Sequence, residues 1–226
     1  HLTGSANVVL RKTETDICVV GDGEIPFVKL LDYFKLHPTR RQLDYTELCQ
    51  IRGLAFIDEN NKLKVTGYAE QVPASELKYP DYDIIKTGLQ KYGGSGELIH
   101  EFFEPIKNSE YNPTTGFGIK FDEKVDKNKK DAIGYITRGC VARCTFCQRA
   151  SKGYRVYAAD HNLEAYLEEL KEKYNVGLVT FGDENFGSNR KQSYEIARIM
   201  KKHDMLWRAG FRPTSITYED LKFFKE

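Results

Sequence analysis

The sequence predicts an α/β protein, because short apolar strands alternate with amphipathic helices through its C-terminal half. The pattern gives a helix at 163–174, a strand at 178–181, a helix from about 190 to 202, a strand at 206–210 and a last helix that begins at Thr217. Alternating strand and helix units form parallel sheets. Because the chain opens at His1 rather than Met and stops inside the last helix, we expect a fragment of a longer protein.

The N-terminal third contains one more strand and helix unit. Residues 16–20 are a strand that runs into Gly21-Asp22-Gly23-Glu24, and a helix with Pro26 in its first turn follows. Pro26 stands where a nicotinamide dinucleotide fingerprint has its third glycine, so that fingerprint fails. Two further strands, at 53–57 and 63–66, are predicted to form a hairpin.

Composition excludes several classes of protein. The 226 residues carry 34 Lys+Arg against 33 Asp+Glu, and a net charge of +1 gives no indication of nucleic-acid binding. No apolar run reaches about 18 residues, and the N-terminus lacks the pattern of a secretory signal. We therefore expect a soluble, cytoplasmic protein that does not bind a membrane.

Three of the five cysteines form a C-x3-C-x2-C group, Cys140, Cys144 and Cys147. Composition alone produces this spacing roughly 0.002 times in such a chain, so coincidence is a poor explanation. Three thiolates on one loop suit either zinc or an iron–sulfur cluster. Structural zinc needs a fourth protein ligand, and the nearest is His161, whereas an iron–sulfur cluster with three ligands keeps one iron open for catalysis. Unliganded thiols are a third alternative.

A predicted buried strand at 133–137 comes directly before this cysteine group. The strand, the spacing and the aromatic Phe146 before the last cysteine resemble the radical S-adenosylmethionine (SAM) superfamily. The resemblance implies that Cys140, Cys144 and Cys147 hold a [4Fe-4S] cluster and that the open iron chelates SAM. It also implies that Phe146 lies against the adenine of SAM.

Polar residues follow the strand at 178–181. Gly182, Asp183 and Glu184 occupy the position of the family's "GE" motif, and the resemblance implies that they orient the SAM ammonium. Their D-E-N-F form resembles a variant of the cobalamin-dependent branch. The alternative is that the two carboxylates only cap the next helix. Arg208 and Arg212 are candidates to bind the carboxylate of SAM or an anionic substrate, although a salt-bridged arginine is the commoner outcome.

The N-terminal third resembles the C-terminal half of the Rossmann-like cobalamin-binding domain that precedes many radical SAM domains. D-I-C-V-V-G-D-G-E and the later G-L-A-F-I-D carry the resemblance, which implies corrin contacts at Gly21, Gly23 and Glu24. Gly4 and Ser5 are expected to form the glycine-rich turn near the nucleotide tail of the corrin. The alternative is a domain of this kind that has lost cobalamin.

Together these observations predict three segments: a partial Rossmann-like cobalamin-binding domain at 1–67, a connector at 68–130 and the first βα units of a TIM-type (β/α) barrel at 131–226. The resemblance implies an enzyme that cleaves SAM reductively, with methyl transfer or a radical rearrangement on an unknown small molecule or natural product. It also implies an electron donor such as flavodoxin or ferredoxin as partner. No further catalytic residue is predicted.

Two alternatives to this function remain. The first is a radical SAM methylthiotransferase, which is disfavoured because its N-terminal domain needs three further cysteines and only Cys18 and Cys49 are present. The second is a zinc-stabilised binding module without a reaction of its own.

Overall fold

The structure is a computed structural model, and it describes residues 2–38, 43–95, 103–106, 126–147, 153–157 and 161–226. The described chain divides into two compact units, 1–76 with 139–155 and 77–138 with 156–226. None of the helices in these described ranges is long and apolar enough to cross a membrane.

The first unit is built around a small antiparallel sheet. Its elements are α1 (Leu2–Lys12), β1 (Ile17–Val19), α2 (Glu24–Leu36), α3 (Tyr45–Leu48), β2 (Leu54–Ile57) and β3 (Leu63–Val65). The strand order is β1-β2-β3, and both pairs are antiparallel. The predicted hairpin of β2 and β3 is confirmed. The strands described in this unit form no parallel pair, so the Rossmann-like assignment stays a prediction.

The helix α1 differs from the sequence-based expectation. Gly4 and Ser5 lie inside this helix and not in a glycine-rich turn, so the turn prediction is wrong at these positions. The physical reason is the apolar spacing of the segment, since Ala6 and Leu10 are four residues apart and pack against Cys18 of β1. Burying that face stabilises a helix where the glycine alone indicated a turn.

The second unit contains the parallel sheet that the alternating pattern predicted. Its elements are α4 (Tyr82–Lys91), β4 (Glu104–Pro105), β5 (Lys130–Gly134), α5 (His161–Tyr174), β8 (Val176–Phe181), α6 (Arg190–Lys202), β9 (Leu206–Ala209) and α7 (Tyr218–Lys225). The main sheet has the order β4-β5-β8-β9, in which β5, β8 and β9 are parallel. The short strands β6 (Thr137–Gly139) and β7 (Tyr154–Val156) form a separate two-stranded sheet.

The core of the second unit lies between the parallel sheet and the helices α5 and α6. Leu167 and Leu170 of α5 and Met200 of α6 are fully buried, and they pack with Val179 of β8. Burial of such a side chain contributes about 1.5–3 kcal/mol, which explains how the apolar stripes of the sequence position the strands. The sequence predicted these helices and strands to within a few residues.

The predicted single strand at 133–137 is divided in the structure. Strand β5 ends at Gly134, and the chain bends through Tyr135 and Ile136 before β6 begins at Thr137. The cysteines therefore follow a second short strand and do not come directly from the end of β5. The carboxylate of Asp183, after the end of β8, accepts hydrogen bonds from this bend.

Candidate functional site

Asp183 is a buried carboxylate at the carboxyl end of β8. Its Oδ1 accepts hydrogen bonds from the backbone N–H and the hydroxyl of Thr137, both at 2.5 Å. The N–H of Ile136 lies 3.2 and 3.3 Å from its two oxygens. Only 8% of Asp183 is exposed. The carboxylate is thus committed to the segment that enters the cysteine loop.

Burial raises the pKa of Asp183 above its ordinary value, because a charged carboxylate loses its hydration inside the protein. The hydrogen bonds from Thr137 and Ile136 oppose this rise, since they stabilise the charged form. A buried carboxylate with several donors is costly to remove, because each donor would lose its partner.

Neither acidic residue caps the following helix. The N-cap of α6 is Asn189, whose side chain accepts from the N–H of Gln192. Glu184 is exposed at the same edge of the sheet, in contrast to its buried neighbour Asp183. The alternative that Asp183 and Glu184 only cap the next helix is therefore wrong.

Gly182, which comes directly before them, is in close contact with an aromatic ring. A Cβ atom added to Gly182 would lie 2.7 Å from the ring of Tyr135, so a larger residue would displace that ring. The backbone N–H of Gly182 donates to the carbonyl of Gly134 at 2.9 Å. A glycine is therefore favoured at position 182, because a side chain there would collide with Tyr135 between the ends of β5 and β8.

The cysteine loop begins after a backbone turn that favours glycine. Gly139 has a φ of +78°, which costs an L-residue with a side chain more than it costs glycine. Cys140 follows it and is buried, and its Sγ accepts from the N–H of Ala142 at 3.4 Å. Cys144 is half-buried and Cys147 is exposed, and the N–H of Cys147 donates to the carbonyl of Cys144. All three thiols are free of disulfides.

The three thiols fit an iron–sulfur cluster by chemistry and by their position on one loop, but they are not gathered around one point. Across the described ranges, no three His, Cys, Asp or Glu side chains are close enough to hold a metal ion. Phe146 between the last two cysteines is 89% exposed, so the middle of the loop has few packing contacts. The ligand assignment of Cys140, Cys144 and Cys147 stays a prediction.

Arg208 lies in a polar network across three neighbouring strands. Its Nη2 donates to Asp131 of β5 at 2.5 Å, and its Nε donates to the hydroxyl of Thr180 of β8 at 2.6 Å. The hydroxyl of Thr180 donates in turn to Asp131 at 2.9 Å. The side chains of Arg208 and Asp131 are 21% and 10% exposed. Arg208 therefore forms a salt bridge, which is one of the two alternatives that the sequence left open.

Arg212 is placed differently, after the end of β9. Its side chain is exposed, and its backbone N–H donates to the side-chain oxygen of Asn185 at 3.1 Å. Asn185 is 1% exposed and also donates to the hydroxyl of Ser188. These contacts of Asn185 are not predicted by any motif, and the only signal for them in the sequence is a polar residue between Glu184 and Phe186.

The predicted corrin contacts lie in the turn between β1 and α2. Gly21 packs against Ala69, Gly23 precedes the first turn of α2, and Glu24 is the first residue of that helix. The packing of Gly21 within its own unit is sufficient to explain that residue. The assignment of Gly21, Gly23 and Glu24 to cobalamin stays a prediction.

Comparison with known families agrees with the cysteine spacing. Residues 135–226 match the model of the radical SAM superfamily. No curated protein matches the chain at a significant level.

A solved structure, OxsB, a cobalamin-dependent S-adenosylmethionine radical enzyme with aqua-cobalamin bound, is similar in fold. The similarity has a TM-score of 0.54 at 17% identity and covers 99% of this chain. The chain spans 27% of the length of that protein, about a quarter.

Proposed function

We propose that this chain is the cofactor-binding part of an enzyme that holds a [4Fe-4S] cluster and cleaves SAM reductively. The observation that carries the proposal is the C-x3-C-x2-C group, whose cysteines form no disulfide and lie inside the region that matches the radical SAM family model. Three ligands leave one iron of such a cluster without a protein ligand. A bound cluster with SAM supplies one electron that splits SAM into methionine and a 5′-deoxyadenosyl radical.

The residues of the chain bind and orient the cofactors. Cys140, Cys144 and Cys147 provide the thiolates for the cluster, and the exposed ring of Phe146 is available to stack on the adenine. We assign the SAM ammonium to Glu184, because its side chain is exposed after the end of β8 whereas Asp183 is buried.

The exposed Arg212 is the better candidate for a carboxylate of SAM or of the substrate. Arg208 is the weaker one, since two of its nitrogens already donate to Asp131 and Thr180. A guanidinium group without a competing partner can bind a carboxylate with two parallel hydrogen bonds.

Cobalamin dependence belongs to the same proposal. Its support is the fold similarity to OxsB together with the strand and turn pattern of the N-terminal third. We propose methyl transfer as the first candidate reaction and a radical rearrangement as the second. The partners would be a small-molecule or natural-product substrate and a flavodoxin or ferredoxin that delivers the electron.

Anaerobic reconstitution with iron and sulfide tests the proposal. We expect about four irons per chain, a brown protein with broad absorption near ~400 nm, and a change in the electron paramagnetic resonance signal of the reduced cluster when SAM is added. A colourless protein with about one zinc per chain would show that the site is a zinc module. Retention of about one hydroxocobalamin per chain through gel filtration is expected if the corrin assignment is right, and its loss would refute that part alone.

A further inference from the structure

The buried amide of Asn185 joins the two loops that follow β8 and β9 in the second unit. Its Oδ1 accepts from the backbone N–H of Arg212 at 3.1 Å and from the hydroxyl of Ser215 at 3.4 Å. Its nitrogen donates to the hydroxyl of Ser188 at 3.0 Å. Because a backbone N–H can only donate, the oxygen of the amide and not its nitrogen must face Arg212. The first loop thus holds the second through one side chain that is 1% exposed.

This contact continues the pairing of the two strands beyond their ends. The strands β8 and β9 pair in parallel up to the last residue of each. Beyond them, the N–H of Phe186 donates to the carbonyl of Gly210 at 3.0 Å. The next backbone donor along, the N–H of Arg212, is bound by the amide of Asn185 instead of a backbone carbonyl. A side chain therefore sets the position of the backbone at Arg212.

Close packing holds the residues on both sides of Arg212. The fully buried ring of Phe186 contacts the ring of Phe211 edge-on, with 5.3 Å between the ring centroids. A Cβ atom added to Gly187 would lie 2.8 Å from the ring of Phe211 and 3.0 Å from the hydroxyl of Ser215. The loop after β9 consequently has little room to shift against the loop after β8.

Asn185 is directly connected to two exposed side chains of opposite charge. Glu184 precedes it in the chain, and Arg212 is the residue whose N–H it binds. Both residues lie beyond the carboxyl ends of parallel strands, which is where open sheets of this kind bind ligands. An α-amino acid carries an ammonium and a carboxylate on one carbon, and these groups complement a glutamate and an arginine. The methionine part of SAM is such a group.

We propose that Asn185 is a positioning residue, which holds the backbone of Arg212 beside Glu184 so that the guanidinium can bind the carboxylate of SAM. The proposal deepens the proposed function and rests on it, because the ligand is the SAM assigned there to Glu184. Asn185 touches neither SAM nor the cluster in this account, since it acts through the backbone that it holds.

The preference of the reconstituted protein for SAM over decarboxylated SAM tests the proposal. Decarboxylated SAM keeps the adenosyl group and the ammonium, so the ratio of the two dissociation constants reports the contribution of the carboxylate. In Arg212→Met we expect the preference for SAM to fall about tenfold or more, because a charge-assisted hydrogen bond is lost. In Asn185→Leu, which keeps the size of the side chain but removes its acceptor, the preference should fall at least about fivefold. Affinity for decarboxylated SAM should change less than about twofold.

A double variant separates positioning from a structural role. If Asn185 acts only through Arg212, then Asn185→Leu should cause no further loss of preference once Arg212→Met is present. Losses that add in the double variant would show that Asn185 affects the carboxylate by another route, and they would overturn the proposal.

Two control variants remove neighbouring polar groups. Asn189→Leu removes an amide of the same type, whose oxygen accepts from the N–H of Gln192 at the start of α6. Ser188→Ala removes the partner of the Asn185 nitrogen but keeps the contact with Arg212. Neither control should change the preference for SAM, although each loses a hydrogen bond. A fall in Asn189→Leu as large as in Asn185→Leu would mean that general destabilisation is the cause, and the positioning role would be wrong.

Gly187→Ala covers the case in which Asn185→Leu does not fold. Its new Cβ would displace Phe211 and Ser215 while the amide of Asn185 stays in place. We expect the preference for SAM to fall about threefold or more, with no further loss when Arg212→Met is added. An unchanged preference in Gly187→Ala would overturn the proposal.

Amide hydrogen exchange of the iron-free protein gives a second measurement. The N–H of Arg212 should exchange about tenfold faster in Asn185→Leu than in the parent, and at the parent rate in Asn189→Leu. Equal exchange of Arg212 in Asn185→Leu and the parent would refute the positioning role. Failure of the parent to take up iron or to bind SAM would instead refute the proposed function. Binding of SAM with an unchanged preference in Asn185→Leu would refute the positioning role alone.

Discussion

Thr137 donates two hydrogen bonds to one oxygen of Asp183, from its backbone N–H and from its hydroxyl, both at 2.5 Å. The contact joins the end of β8 to the start of β6. It also explains why the two neighbouring acidic residues of the D-E-N-F motif have different surroundings. Asp183 faces inward to the backbone of β6, and Glu184 is exposed.

The hydroxyl of Thr137 should contribute more to the free energy of unfolding than its methyl group does. Thr137→Val keeps the shape of the side chain but removes one donor from a buried carboxylate, so we expect the free energy of unfolding to fall by about 1.5–3 kcal/mol. Thr137→Ser retains the hydroxyl and should lose less than half as much. Denaturant titration of the three proteins measures the difference, and equal losses in both variants would show that the hydroxyl contributes nothing.

Loss of the negative charge of Glu184 should weaken the binding of SAM. In Glu184→Gln we expect the dissociation constant for SAM to rise about tenfold or more, because a charge-assisted hydrogen bond to the ammonium is lost. The iron content should not change, since the proposal assigns Glu184 to SAM and the three cysteines to the cluster. Equilibrium binding of SAM to the reconstituted protein is the measurement. Unchanged affinity for SAM would remove Glu184 from the site.

The ion pair of Arg208 and Asp131 is expected to stabilise the sheet rather than to bind a ligand. Removing either partner, in Arg208→Met or Asp131→Asn, should lower the free energy of unfolding by about 3–5 kcal/mol, because the other charge stays buried and uncompensated. The double variant with Met at 208 and Leu at 131 should recover part of this loss. Lys35→Met breaks a pair whose side chains are 74% and 62% exposed, and it should change the stability by less than about 0.5 kcal/mol. A double variant less stable than either single variant would contradict this account.

Asp220 should make the C-terminal helix sensitive to acid. Its carboxylate accepts from the hydroxyl of Tyr194 at 2.6 Å and from Thr217 in the capping box of α7, which holds the pKa of Asp220 well below its usual range. A carboxyl whose pKa is lower in the folded state stabilises the fold above the unfolded pKa of about 3.9, and this stability is lost as the pH falls toward the folded pKa. The midpoint of thermal unfolding should therefore fall with acidification more steeply in the parent protein than in Asp220→Asn. Parallel curves for the two proteins would refute the assignment.

The sequence predicted the parts of the fold that depend on periodic burial. The apolar stripes of α5 and α6 and the runs of β8 and β9 are local patterns, and each appears in the structure close to its predicted position. The cysteine spacing likewise predicted the match of residues 135–226 to the radical SAM model, because three cysteines within eight residues form a local pattern that needs no tertiary information.

Other features depend on contacts between residues that are far apart in the chain. The bend between β5 and β6 is hydrogen-bonded to Asp183, and nothing in the local sequence around Tyr135 and Ile136 indicates it. Arg155 and Asp22 lie 133 positions apart, so their pairing cannot be read from either segment. The resemblance to a cobalamin-binding domain predicts a turn at Gly4 and Ser5, whereas the structure has a helix there with Ala6 and Leu10 on its buried face.

The formation of 5′-deoxyadenosine tests the central claim most directly. Reconstituted protein incubated anaerobically with SAM and dithionite should release 5′-deoxyadenosine and methionine. Replacement of Cys140, Cys144 or Cys147 by alanine should abolish both the product and most of the bound iron, whereas Cys49→Ala should leave them unchanged. A protein that retains about four irons per chain and yet gives no 5′-deoxyadenosine and no spectroscopic response to SAM would contradict the account.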